Sequence, residues 1–164
     1  MWSSVTSPPE FIDLVCHEYH HLKLFGVDEA YPLLGDPATP VLSPWRSQTR
    51  TAEGLLHAIF AFFQLTVLFD RIFALRPASS AGLERMATWL ICMDIGLKLL
   101  AESQARPTSY GSALTARMEA GTAEYLRKVE RSAGATAIAR LRREVADHLA
   151  QAGDMNSSTP RYLF

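Results

Sequence analysis

The run His17-Glu18-Tyr19-His20-His21 has the residue types and spacing of an HExxH metal site. On an α-helix, residues four apart stand on one face with Cβ atoms about 6 Å apart, so the imidazoles of His17 and His21 can share one metal ion. Glu18 is one residue on, within reach of metal-bound water. In the competing structural reading, His17 and His21 are boundary histidines and Glu18 pairs with an arginine.

Two histidines need a third protein ligand, and His57, Glu53 and Asp94 are the candidates. His57 lies in the most apolar stretch of the chain, where an imidazole without a partner is poorly solvated. A helix starting near Arg50 places Arg50 and His57 on one face, about 10 Å apart along the axis. The Arg50 guanidinium could then fork onto the far carboxylate of a metal-chelating 2-oxoglutarate, with Arg46 as the second candidate for that clamp. Against this stands the ordinary role of a solvated or loop-pinning arginine.

Such a motif must be carried by a helix. Ser7-Pro8-Pro9-Glu10 has the form of a capping box with prolines in the first turn, and Gly26 supplies a stop, which predicts a helix over 8–25. Phe11, Leu14, Val15, Leu22 and Phe25 form an apolar stripe with Glu18 at its centre and the two histidines along one edge. That stripe predicts that the motif faces the interior.

Residues 27–49 carry Pro32, Pro37, Pro40 and Pro44 with Gly35, which predicts a long loop without regular elements. Its Tyr31, Trp45 and Arg46 suit a surface that lines the site. From Arg50 to Leu75 the chain is apolar nearly all round, and Pro77 ends it. This predicts the central buried helix rather than a membrane span, because His57 and Gln64 break the run and Glu53 and Asp70 bound it. Three further helices are predicted over 80–103, 109–130 and 136–152, the first with Leu83, Met86, Ala87, Leu90, Ile91 and Leu97 on one stripe and Asp94 inside it. The last dozen residues read as irregular, and no segment alternates with period two. The expectation is an all-α single domain of about five helices over 1–164, with a metal site between the HExxH helix and the central apolar helix.

With 16 basic and 17 acidic residues among 164, the chain offers no general electrostatic attraction for nucleic acid or an anionic membrane. Cys16 and Cys92 are too few for a disulfide framework and no secretory signal opens the chain, so the expected compartment is the reducing cytoplasm. Cys16 reads as a packing residue rather than a ligand.

Taken together, residues 17–24 (His-Glu-Tyr-His-His-Leu-Lys-Leu), Ser-Pro-Trp-Arg at 43–46, Arg50, and Gly-Leu-Leu-His-Ala-Ile-Phe-Ala-Phe at 54–62 resemble a bacterial family. It is the 2-oxoglutarate-dependent HExxH-type peptide β-hydroxylases, and the resemblance covers about residues 11–75. It implies an iron(II) and 2-oxoglutarate dioxygenase that hydroxylates a β-carbon in a ribosomally made precursor peptide during natural-product maturation. His17, His21 and His57 would hold the metal, Arg50 or Arg46 the co-substrate, and Lys23 follows the motif as it does in the family, as a further cofactor-side candidate. Glu18 would then orient a histidine or a water. Family members carry a large region before the HExxH helix, whereas sixteen residues precede the motif here. Peptide recognition is therefore expected from a second protein or subunit, or to be lost. Two other functions compete: a zinc metallopeptidase with Glu18 as general base, and a non-catalytic helical partner-binding module with a structural or vestigial metal site.

Overall fold

The computed structural model describes residues 8–46 and 48–153. Ser7 of the expected capping box and the expected tail beyond Gly153 lie outside the described residues. Five helices follow in order: α1 (Pro8–Ala30), α2 (Ala52–Leu75), α3 (Ser80–Glu102), α4 (Ser109–Ala133) and α5 (Ala135–Gly153), with a small hairpin of β1 (Pro40–Leu42) and β2 (Thr49–Thr51) between α1 and α2. The expected all-α class and helix number hold.

Sequence-local chemistry sets most helix ends. Thr51, Ser79 and Thr108 sit in extended backbone, and their hydroxyls accept from the amides of Gly54, Gly82 and Gly111. Each satisfies one amide that the first helical turn leaves without a partner. Gly134 takes φ 89° and parts α4 from α5, a conformation that side chains with a Cβ rarely adopt.

α2 lies between α1 and α3, and α3 packs in turn against α4 and α5. One core runs from Leu24 of α1 through Leu55, Ile59 and Leu65 of α2 and Leu90, Ile91 and Met93 of α3 to Val145 of α5. The α3 stripe behaves as its periodicity predicts, with Met86, Ala87, Leu90, Ile91 and Leu97 all buried. Among the described residues α2 alone is long and apolar enough to cross a membrane by length and composition. Here it is the helix flanked by α1 and α3.

Three expectations need correction. Gly26 does not stop α1, which runs on to Ala30. Pro32 lies two residues beyond that end, and the Asp28 carboxylate closes the turn by accepting from the Leu33 amide at 2.6 Å. Residues 27–49 are not a loop throughout: Pro40 faces Thr51, Val41 faces Arg50 and Leu42 faces Thr49 in an antiparallel ladder. Strands of three residues are too short to show a period in the sequence, and Pro40 is tolerated at the first position of an edge strand. Finally, the stripe of Phe11, Val15, Leu22 and Phe25 faces away from the bundle, with 57, 49, 73 and 57% of each residue exposed. Glu18 is exposed with it. The buried face lies about 150° around the helix and carries Asp13, at 7% exposure, and Leu24, at 1%.

The segment before the hairpin is stitched to the α3–α4 connection. Thr108 donates its hydroxyl to the Pro32 carbonyl at 2.7 Å and its amide to Leu33 at 2.9 Å. Gly111 is required there, because a Cβ would stand 1.9 Å from the Leu33 carbonyl oxygen. These bonds fix the register in which the hairpin reaches the start of α2.

Candidate metal centre between α1 and α2

α1 runs antiparallel to α2, so that His17 meets Phe62, ring centroids 5.0 Å apart, while His21 stacks on His57 at 5.9 Å with an interplanar angle of 11°. The Nε2 atoms of His17 and His21 come within 2.9 Å of one another. The i,i+4 spacing of the motif thus brings both nitrogens to one point, as the sequence predicts.

Burial lowers the pKa of His17 to about 4, with further lowering by His21, Arg50, His20 and Arg46 in that order. Burial likewise lowers His21, against an upward pull from Glu18, with His57 and Arg50 adding to the lowering. Burial also lowers His57, where Glu53 and Asp28 pull upward. Neutral imidazoles are the form that ligates metals, so at neutral pH no proton need leave before an ion binds.

His57 belongs to a second constellation. Ligand atoms of Asp28, Glu53 and His57 all lie within 4.8 Å of one another, and this His/Glu/Asp group between α1 and α2 could hold a metal ion. The His57 Nε2 is buried without a hydrogen-bond partner among the described residues. This group of one imidazole and two carboxylates does not include His17 or His21, whose nitrogens meet separately.

The hairpin closes the third side. Trp45 is buried and lies flat on Phe62, centroids 5.0 Å apart and planes 8° from parallel. The Cys92 thiol donates to the Pro44 carbonyl at 3.6 Å, and burial pushes that thiol up to about 12. Held this way, Arg46 and Arg50 lie close enough to His17 to depress it. Arg50 is not a residue of α2, as its expected spacing from His57 required. It sits in β2, before the Thr51 cap, and its guanidinium folds back over the first turn, where a Cβ on Gly54 would stand 3.4 Å from it. Burial and the neighbouring Arg46 lower its pKa.

Other predicted residues fall elsewhere. Asp94 bonds Lys98 at 2.8 Å in a cleft with Arg127 and Arg142, on the α4–α5 side. Lys23 lines a separate cleft between α1, α2 and α4, and Tyr31 lies there too. The structure brings in Asp28, which the sequence reading misses. Asp28 continues the row 17, 21, 24, 28 along one helical face, a row that becomes visible once the helix is carried past Gly26.

No protein-family model and no curated protein matches the chain.

Proposed function

We propose that the chain is an iron(II)- and 2-oxoglutarate-dependent hydroxylase acting on a β-carbon of a ribosomally made precursor peptide. The observation that supports it most is the meeting of the two motif histidines beside Arg50 and Arg46. Arg50 is half-buried, and no described residue gives its guanidinium a hydrogen bond or an ion pair. A guanidinium in that setting, next to a second one, is stabilised by an anion, and a carboxylate matches its fork.

In this reading His17, His21 and His57 hold the metal, with Glu53 as the carboxylate alternative to His57. The Nε2 atoms of His17 and His21, 2.9 Å apart, would both be available to one ion. Iron(II) with 2-oxoglutarate and dioxygen supplies the oxidising power for hydroxylating an unactivated carbon. The chain's own residues supply position and dryness: Arg50 anchors the co-substrate, Trp45 and Phe62 wall the site against water, and Glu18 acts on His21 through its charge. The resemblance of residues 11–75 is what supports a peptide as substrate.

The zinc peptidase is the second reading, favoured by the carboxylates of Glu53 and Asp28 beside the histidines and by the charge of Glu18 near His21. Titrating the anaerobic iron(II) protein with 2-oxoglutarate separates the two. The hydroxylase gives the visible charge-transfer band of the chelate, and Arg50→Ala weakens 2-oxoglutarate binding by about 2 kcal/mol. A protein that shows no such band and cleaves peptides when loaded with zinc is the peptidase.

A further inference from the structure

On the side of α1 that looks toward α4, α1, α2 and α4 leave a cleft of about 510 Å³. That volume falls in the range of small-molecule sites. Leu24, Phe60 and Met118 line it, each at 7% exposure or less, so its base belongs to the protein core. At the same cleft the rings of Tyr31 and Tyr110 stand 5.0 Å apart.

The charges of this cleft are unlike those of the chain as a whole. Acidic residues outnumber basic ones by 17 to 16 in the sequence, yet among the described residues the only charged ones lining the cleft are Lys23 and Arg117. Both are exposed, and no described residue forms an ion pair or hydrogen bond with either. The cleft thus combines an apolar base with two cations and no acid. A ligand complementary to it has a long apolar body and one anionic end.

We propose that this cleft binds a free fatty acid, its alkyl chain against Leu24, Phe60 and Met118 and its carboxylate beside Lys23 and Arg117. A peptide is the poorer match, because its backbone amides would lose water against an apolar lining that offers them few partners. The inference does not rest on the metal chemistry. Lys23 lies outside the row of Asp13, His17, Leu24 and Asp28, and the cleft includes none of the metal-site histidines.

Calorimetric titration of the whole chain, freed of metal by chelator, with dodecanoate below its micelle concentration tests it. Saturable one-to-one binding is expected, at least tenfold tighter than that of dodecanol, and tightening about threefold for each added methylene in a chain-length series. Lys23→Ala with Arg117→Ala should weaken dodecanoate at least tenfold and leave dodecanol unchanged. Leu114→Trp, which fills the cleft, should weaken both. Because Lys23 and Arg117 are surface residues, their double variant keeps the helical circular dichroism of the parent. His17→Ala with His21→Ala should bind dodecanoate as the parent does, whether or not the hydroxylase reading stands. Absence of saturable binding, equal affinity for dodecanol, indifference to the two cation substitutions, or loss of binding in the histidine variant would each overturn the proposal.

Discussion

α1 presents two faces that differ in the direction opposite to expectation. Toward the bundle it turns Asp13, His17, His21, Leu24 and Asp28, of which only Leu24 is a large hydrocarbon. Away from it stand Phe11, Val15, Leu22 and Phe25, each about half exposed or more. Apolar area favours burial, but a helix can bury only the face its neighbour fits. Among the described residues α1 has one helical neighbour along its backbone, α2, and α2 offers it a histidine, two phenylalanines and a glutamate. The inward face answers with imidazoles that stack and meet edge-on, and with Asp13 joined to Arg85 of α3 at 2.8 Å. Asp13 is thus buried with an ion partner, and Leu24 supplies the apolar anchor. The comparison teaches that the pattern of a helix sets a stripe, and the neighbour sets which stripe is covered.

The largest difference between the faces is expected in metal binding. His17→Ala and His21→Ala should each weaken Co(II) or Fe(II) about 100-fold or more in a chelator competition, whereas Leu22→Ala on the outer face should leave it unchanged. Equal loss from both faces would mean that the inner face is not the site. Stability comes next. Leu24→Ala should cost about 3 kcal/mol in urea denaturation, and Leu22→Ala, at 73% exposure, no more than about 0.5 kcal/mol.

A smaller effect separates the faces by pH. The His17 pKa is lowered from 6.5 to about 4 by burial first and by neighbouring cations after it, so the folded state resists its protonation. In the metal-free protein the stability tied to neutral His17 is complete above about pH 6.5 and is lost as the pH falls through about 4. His17→Gln should flatten the stability profile across that window, and a denaturation series from pH 7 to 4 reads it directly. The smallest expected effect is at Gly26, inside the helix with open space where a Cβ would go. Gly26→Ala should stabilise by about 0.5 to 1 kcal/mol, and destabilisation instead would mean that α1 ends there.

Much of this molecule was legible in its residues. The apolar run of α2 and the periodic stripe of α3 act over a few residues of chain and announced the number, order and approximate bounds of the helices, whereas the hydroxyl caps at Thr51, Ser79 and Thr108 that start α2, α3 and α4 were seen only in the structure. The i,i+4 spacing of His17 and His21 was enough to put both imidazoles on one face within reach of each other, because the helix alone determines that placement. Tertiary structure decided the rest. Which face of α1 is inward depends on the side chains α2 presents, so the apolar stripe misled. Arg50 reached the histidines from a strand, since the ladder with Val41 is a pairing across the chain that no local period announces. Asp28 joined Glu53 and His57 only because α1 continued past Gly26 and crossed the start of α2, a meeting of residues 25 and more positions apart that packing alone could make.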